Sequence, residues 1–407
     1  MGPYYSNGAA KLRPACIVQP QSADEVARAV KMLAADRRTK FAVRSDGCSF
    51  WPNNNIEDGV TYHEEEDTVS IGTGARWGEV YGYLENYGRT VGGGREATGA
   101  TTSFSGRFGL TCDQVIRFEV VLANGDIVLA EEGGDEHQDL LVALRGGGSN
   151  FGLWGGGRVF STADVVIGEV ARSFVDITNN IARDPDTALI CMVANLEPGQ
   201  KKPVVVASLC ANLAGVENPP ILEEWLSFPT VLDLCKKETT LLEVMASTKQ
   251  RPGYHCMWFT LTFHNSAFIM FQAVALHAEL VAKLEAHITE GSFISQCLFS
   301  ANVLGNESQD RDGILWSGHV MVPTPDLEKW AYPHVCKCYE DLRDFAESEE
   351  GLLPRIPANY ADPDQKVLQS YGPDNVRFMH EVANRYDPAG VFQSICPGGF
   401  KISAVDD

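Results

Sequence analysis

The chain has 407 residues, of which 44% are hydrophobic and 21% are charged. This length is enough for two domains with separate cores, and the composition is ordinary for a globular protein. The net charge of −21 at pH 7 argues against nucleic acid or an anionic membrane as a partner, because both bind positive surfaces. The sequence predicts no bilayer-spanning apolar run and no signal peptide, so we expect a cytoplasmic protein.

The first part of the chain predicts helices and strands in alternation. Ser22 is followed three residues later by Glu25, a capping-box pattern that predicts the start of a helix. The Asn124-Gly125 pair between two apolar runs predicts a hairpin. The other predicted elements of this part are strands at 16–20, 41–44 and 69–74 and helices at 77–87 and 139–145.

The pattern changes at about Ala163, where longer apolar segments begin. Runs at 188–194 and 204–210 predict strands, and 267–287 predicts a helix between strands. We therefore expect this middle part to form a separate α+β layer.

Two glycine-containing loops are the strongest candidates for a ligand site. Glycine lets a backbone approach a pyrophosphate closely, and the amides of such a loop can point at phosphates. The first loop follows the predicted strand at 41–44, and the carboxyl end of a strand is where α/β folds place ligands. The residues of the two loops are Arg44, Ser45, Asp46, Gly47 and Cys48, and Gly146, Gly147 and Gly148.

These loops, their order and the segment 386–393 resemble the berberine bridge enzyme-like FAD-linked oxidoreductases, within the vanillyl-alcohol oxidase superfamily. The resemblance implies an α+β fold with two domains. A PCMH-type FAD-binding domain would contain residues 1–162 and 355–407. An antiparallel-sheet substrate domain flanked by helices would contain residues 163–354. The resemblance is to fungal members of the family.

The chain departs from the family around the flavin. In the family, the first loop has the sequence R-S-G-G-H-S, and the histidine of this loop is bonded covalently to the flavin. Here Cys48 replaces that histidine and Asp46 replaces a glycine, and a carboxylate beside a pyrophosphate repels it. The family's long glycine loop is shortened here to 96–102, and the strand that follows N-F-G in the family is predicted to be absent after Gly152. These three losses predict a chain without a cofactor; the alternative is FAD held without a covalent bond.

A flavin site without flavin leaves a cavity between the two domains, and such clefts are common ligand sites. The sequence therefore favours a secondary-metabolite tailoring enzyme that needs no cofactor and closes or rearranges a ring, as a cyclase, isomerase or pericyclase does. Its substrate would be a small molecule, such as a polyketide, terpenoid or alkaloid intermediate. The alternatives are an FAD-linked oxidase, and an inactive relative or small-molecule binding protein.

Candidate site residues come from two strands and one loop. Alternation over 258–264 places four polar or aromatic side chains on one face, and alternation over 315–320 places His319 beside Ser317. The run at 359–362 matches the family's N-Y-A-D, which the resemblance places near the flavin ring and the substrate. We predict Tyr360 and His264 as catalytic residues. The predicted substrate-binding residues are Trp258, Thr260, Thr262, Asn359 and His319.

The 11 cysteines are scattered along the chain, which favours free thiols in a reducing compartment. Cys336 and Cys338 form the closest pair, with His334 nearby, and no fourth ligand stands close in sequence. We therefore predict no metal site and expect these thiols to lie on a helix.

Overall fold

The computed structural model describes most of the chain. The described residues are 6–7, 11, 14–42, 59–72, 75, 77–93, 114–134, 136–144, 153–160, 164–195, 205–212, 214–239, 253–288, 293–302, 313–396 and 399–405. The two predicted cofactor loops, 44–48 and 146–148, and the shortened loop at 96–102 lie outside these residues.

The first part of the chain forms three helices and two hairpins among its described residues. One hairpin pairs β1 with β2 and the other pairs β3 with β4, both antiparallel. The bounds are α1 Ala23–Asp36, β1 Val60–His63, β2 Thr68–Ile71, α2 Trp77–Glu85, β3 Arg117–Val121, β4 Ile127–Glu131 and α3 Gln138–Leu144.

Two local sequence signals act as predicted in this part. The Ser22 hydroxyl accepts the Glu25 backbone N–H at 3.3 Å, and the Glu25 carboxylate accepts the Gln21 backbone N–H at 2.8 Å. These bonds give an acceptor to the Gln21 N–H and a second acceptor to the Glu25 N–H, which also bonds the Ser22 carbonyl at 3.0 Å. In the turn between β3 and β4, Gly125 has a φ of 85°, a conformation that side chains other than glycine rarely adopt.

The middle part of the chain forms one large sheet. It has nine strands, in the order β13-β10-β12-β11-β6-β7-β5-β8, with β9 also paired to β5, and all of these pairs are antiparallel. The strand bounds are β5 Leu153–Phe160, β6 Thr187–Asn195, β7 Val205–Asn212, β8 Thr230–Asp233, β9 Lys236–Thr239, β10 His255–His264, β11 Ile294–Asn302, β12 Gly313–Val322 and β13 Leu352–Leu353.

The expectation that no strand follows Gly152 was wrong. Strand β5 begins at Leu153 and pairs with β7 along most of its length. The run of three glycines in β5 hid it, because glycine is depleted in strands and weakens the sequence signal. The large sheet therefore starts before the domain boundary predicted at residue 162, while the division into two domains stays a prediction.

Helices cover one face of this sheet. Met257, Phe259, Leu261 and Phe263 of β10 alternate toward that face and join the main hydrophobic core. Helix α6 is long and apolar enough to cross a membrane by length and composition, contrary to the expectation that no such segment exists. It packs instead in the core, burying Ile269, Met270, Ala273, Leu280 and Leu284 among others. The bounds are α4 Asp164–Asn180, α5 Glu223–Ser227, α6 Ala267–His287 and α7 Pro325–Ser348.

The C-terminal segment returns to the first part of the chain. Its helices are α8 Pro373–Tyr386 and α9 Val391–Ser394. The Tyr386 hydroxyl donates to Asp139 at 2.8 Å, and the Phe392 ring meets Phe41 edge-on at 6.3 Å. Val391 is buried in the same small cluster. These contacts join the tail to the first part of the chain, and the assignment of both to one domain stays a prediction.

Candidate active site

Three aromatic rings meet on the face of the large sheet opposite the helices. The Trp258 and His319 rings are stacked, with centroids 3.8 Å apart and planes 10° apart. The Tyr360 ring lies 5.1 Å from Trp258, tilted by 32°. We call Trp258, His319 and Tyr360 the ring stack. Tyr360 is half-buried, whereas Trp258 is 7% and His319 is 0% exposed, so Tyr360 is the most accessible of the three.

Strand register explains the stack. Trp258 of β10 lies directly opposite His319 of β12, and His319 lies opposite Gln296 of β11. Directly opposed residues of antiparallel strands point to the same face, with side chains close enough to touch. The Gln296 carboxamide oxygen lies 2.9 Å from His319 Nδ1, which fits a bond donated by the imidazole. Gln296 thus orients the imidazole under Trp258.

Burial sets the charge state of His319. The imidazole is fully buried, and this burial lowers its pKa to about 3 because a charged ring would lose its hydration. His319 is therefore neutral across the ordinary working range of pH. It supports Trp258 from beneath, and its complete burial does not support the predicted substrate contact.

The segment that carries Tyr360 is held against α7 by a buried carboxyl group. The Tyr332 hydroxyl of α7 lies 2.8 Å from Asp362 Oδ1 and 3.1 Å from Asp364 Oδ2. Asp362 is 2% exposed, and burial raises its pKa. Burial and the two neighbouring carboxylates raise the pKa of Tyr332 as well. Tyr332 thus stays a neutral donor that fixes the turn after Tyr360.

The ring stack adjoins an apolar part of the same sheet face. Leu298 of β11 belongs to the same cluster as Trp258 and Tyr360. Register places Met192 opposite Leu298, and Ile190 and Leu209 follow on β6 and β7. These four side chains are half-buried, whereas the residues between them on the helix-covered face are almost all buried. The face therefore offers aromatic and aliphatic groups to a ligand.

The structure brings together only some of the predicted site residues. Trp258, His319 and Tyr360 meet, and Asn359 is exposed beside them. His264 lies six residues further along β10 than Trp258, about 20 Å away at the spacing of a strand. The structure does not place His264 with Tyr360, and its catalytic role stays an untested prediction.

The predicted substrate threonines are engaged within the protein. Thr260 and Thr262 are both 0% exposed. The Thr260 hydroxyl donates to the Trp316 carbonyl at 2.7 Å, and the Thr262 hydroxyl donates to the Arg355 carbonyl at 2.6 Å. These bonds give both residues a structural role and do not support the predicted substrate contact.

Several residues of the site were missed from the sequence. The alternating segment 294–302 was not analysed as a strand, although its period of two would have placed Gln296 and Leu298 on one face. Gln365, whose side chain bonds the backbone of both β10 and the segment after Tyr360, carries no local sequence signal of this role. Cys336 and Cys338 lie on α7 as expected, and the described residues contain no cluster of three or more potential metal ligands.

Sequence comparisons match the chain with flavoproteins. Residues 14–131 match the family model described as an FAD binding domain. The FAD-dependent monooxygenase sdcF of Emericella nidulans is 30% identical over 445 residues, covering 97% of this chain and 91% of sdcF. The FAD-dependent monooxygenase drtC of Aspergillus calidoustus is 28% identical over 455 residues, covering 99% of this chain and 85% of drtC.

Solved structures show the same fold. The BBE-like 1 protein of Physcomitrella patens matches with a TM-score of 0.72 at 17% identity, covering 98% of this chain and 94% of that protein. The glucooligosaccharide oxidase of Acremonium strictum matches with a TM-score of 0.73 at 16% identity, covering 98% and 95%. The predicted α+β fold with a PCMH-type FAD-binding domain is confirmed.

The expectation that the chain holds no cofactor was wrong. The FAD binding domain match and relatives named as FAD-dependent point to FAD. The error came from giving the changes at Asp46 and Cys48 more weight than the family pattern retained over the rest of the chain. The chain belongs to the berberine bridge enzyme-like family of FAD-linked oxidoreductases.

Proposed function

We propose that the chain is an FAD-linked oxidoreductase that oxidises an uncharged, ring-containing small molecule of fungal secondary metabolism. One observation carries the substrate part of the proposal. The ring stack and the half-buried apolar side chains Leu298, Met192 and Ile190 lie on the same sheet face, where Tyr360 is the half-buried member of the stack. The sequence relatives named as FAD-dependent monooxygenases support the cofactor and the redox chemistry.

The described residues fit the ring end of a flavin site. The ring stack is aromatic and carries no formal charge, since His319 is kept neutral by burial. The Asp362 carboxyl group is directed to Tyr332 on α7. A flat, weakly polar ring system is compatible with such a wall. The residues that would hold the pyrophosphate, predicted at 44–48 and 146–148, lie outside the described part of the chain.

We propose that the flavin is held without a covalent bond at position 48. A cysteine stands there instead of the histidine that the family pattern bonds to flavin. This change favours a flavin that is held here by non-covalent contacts alone.

Each part of the ring stack has a role in this proposal. FAD, when bound, would supply the acceptor for a hydride equivalent from a carbon of the substrate. The Tyr360 hydroxyl donates a hydrogen bond to the substrate hydroxyl or amine and orients it, because Tyr360 is the accessible member of the stack, and the substrate proton is released to solvent. Trp258 gives the substrate ring a flat surface, and Leu298 and Met192 keep water away from it.

The apolar face also distinguishes between substrate classes. Structural neighbours include proteins named as oligosaccharide oxidases. A sugar presents hydroxyl groups on all sides and needs matching polar side chains, because unpaired polar groups are costly to bury. Met192, Ile190 and Leu209 offer no such partners. We therefore propose aromatic or largely apolar substrates and disfavour oligosaccharides. The ring-forming, non-redox reaction predicted from the sequence gains no support.

The test is substrate-driven reduction of the bound flavin in the absence of oxygen. A panel of hydroxylated aromatic polyketides, alkaloids and oligosaccharides is mixed with the protein, and bleaching of the flavin absorbance is recorded. We expect at least one aromatic compound to bleach it and oligosaccharides not to. Tyr360→Phe should slow bleaching by about 100-fold, the usual scale when a reacting group loses its correct orientation. Tyr87→Phe, at an exposed tyrosine in the first part of the chain, is the matched control.

Bleaching by oligosaccharides alone would contradict the substrate part of the proposal. Bleaching by none of the compounds, with flavin bound, would contradict the redox assignment. An unchanged rate in Tyr360→Phe would remove Tyr360 from the reaction.

A further inference from the structure

A single buried side chain joins the Tyr360 segment to strand β10. Gln365 is 7% exposed. Its carboxamide oxygen accepts the backbone N–H of Thr260 and that of Asp362, each at 3.0 Å. Its carboxamide nitrogen donates to the Thr260 carbonyl at 2.7 Å. One amide side chain thus makes three bonds to two separate segments of backbone.

The position of Gln365 in the sheet explains why these bonds matter. On the side of β10 away from β12, the short strand β13 pairs only with Thr262 and Phe263. The backbone N–H and carbonyl of Thr260 lie beyond the end of β13, and a buried, unpaired peptide group would be costly. Gln365 occupies the place of the missing strand residue and satisfies both groups.

The same amide fixes the backbone two residues after Tyr360. Asp362 N–H is bound to Gln365, and Thr260 stands two residues after Trp258 on β10. Both residues of the Trp258–Tyr360 contact are therefore tied to one carboxamide. We propose that Gln365 is the positioning residue that holds Tyr360 against Trp258. Its importance for turnover rests on the proposed function, while its effect on the position of Tyr360 does not.

A glutamate at this position provides a reversible test. A protonated carboxyl group in Gln365→Glu can accept from the two N–H groups and donate to the Thr260 carbonyl, as the amide does. Its ionised form would place negative charge beside that carbonyl and break the arrangement. The ionisable groups that face this position are Asp362, Asp364, and Tyr332 and Tyr339 of α7, with Arg343 beyond Tyr339. Burial and the nearby carboxyl groups raise the pKa of the new glutamate above its ordinary value, so we expect it to be protonated at about pH 5 and ionised at about pH 8.

We expect Gln365→Glu to reduce flavin about 100-fold more slowly than the wild type at about pH 8, since small misplacements of a reacting group have effects of this size. At about pH 5 the variant should recover to within about tenfold of the wild type measured at the same pH. Gln369→Glu, four residues along the chain and exposed, is the matched control. Equal impairment of Gln365→Glu at both values of pH, or none at either, would overturn the proposal.

A double-mutant cycle distinguishes positioning of Tyr360 by Gln365 from a general structural role of Gln365. The cycle uses Gln365→Met, which also replaces Gln365→Glu if that variant does not fold. Gln365→Met keeps the length of the side chain and removes its hydrogen bonds. If Gln365 acts through Tyr360, Tyr360→Phe with Gln365→Met should reduce flavin no more slowly than Tyr360→Phe alone. Multiplied losses in the double variant would contradict this role.

A measurement that requires no turnover tests the positioning of Tyr360 by Gln365 independently of the proposed function. The near-ultraviolet circular dichroism of the wild type minus that of Tyr360→Phe reports the Trp258–Tyr360 contact. This difference should disappear in the Gln365→Met background. A preserved difference would refute positioning by Gln365, whereas a lost difference in a protein that no substrate reduces would refute only the proposed redox function.

Discussion

Removing the imidazole of His319 should change how stability depends on pH. Burial lowers the pKa of His319 to about 3, whereas an unfolded histidine titrates near its ordinary 6.5. Between these values the unfolded chain binds a proton that the folded chain does not. The folded state therefore loses stability as the pH falls below about 6.5, by about 1.4 kcal/mol for each pH unit.

The expected size of the effect follows from this slope. From about pH 7 to about pH 5, His319 alone should reduce the free energy of unfolding by about 2 kcal/mol. His277 in α6 should add a similar loss, because burial lowers its pKa to about 4. His319→Gln removes only the first contribution. The lost stacking against Trp258 affects both values of pH equally and cancels in the difference.

The assay is urea unfolding of the wild type and His319→Gln at both values of pH. The wild type should lose about 2 kcal/mol more than the variant between about pH 7 and about pH 5. His63→Gln, at an exposed histidine, is the control for losing one imidazole and should keep the wild-type difference. Equal losses in the wild type and His319→Gln would refute the conclusion that His319 is held neutral beneath Trp258.

Two further predictions concern packing and capping. Gly318→Ala should lower the free energy of unfolding by about 1–3 kcal/mol, because the new methyl group would lie 2.7 Å from the Trp316 ring; an unchanged urea midpoint would contradict this. Ser22→Ala should cost about 1 kcal/mol, because the Glu25 N–H at the start of α1 loses the Ser22 hydroxyl as an acceptor and keeps only the Ser22 carbonyl. The same urea titration measures it, and Ser22→Asp, which restores an acceptor, should recover most of the loss.

Local signals in the sequence predicted most of the elements. Ser22 with Glu25, the Asn124-Gly125 turn and the helix at 267–287 depend on neighbours within a few residues, and the structure has all three as predicted. Strand β5 was missed because its three glycines carry no side-chain pattern. The segment at 16–20, interpreted as a strand, is irregular in the structure, because strand propensity alone does not supply a pairing partner.

The candidate site was only partly predictable, because its contacts depend on register between distant strands. Alternation put Trp258 and His264 on one face, but six residues of strand already separate them by about 20 Å, and this distance was not weighed when they were grouped. The stacking of His319 on Trp258 needs the register of β10 with β12. The bonds from Gln365 to Thr260 join residues 105 positions apart, a separation that a local pattern does not reveal.

The cofactor content of the purified protein tests the central claim most directly. The protein is expressed with sufficient riboflavin, its absorbance spectrum is recorded, and it is then denatured and centrifuged. We predict a yellow protein that releases close to one FAD per chain into the supernatant, as expected for flavin held without a covalent bond. A colourless protein that also fails to bind added FAD would contradict its function as a flavoprotein. Flavin that stays with the precipitate would contradict non-covalent binding and indicate an attachment residue such as Cys48.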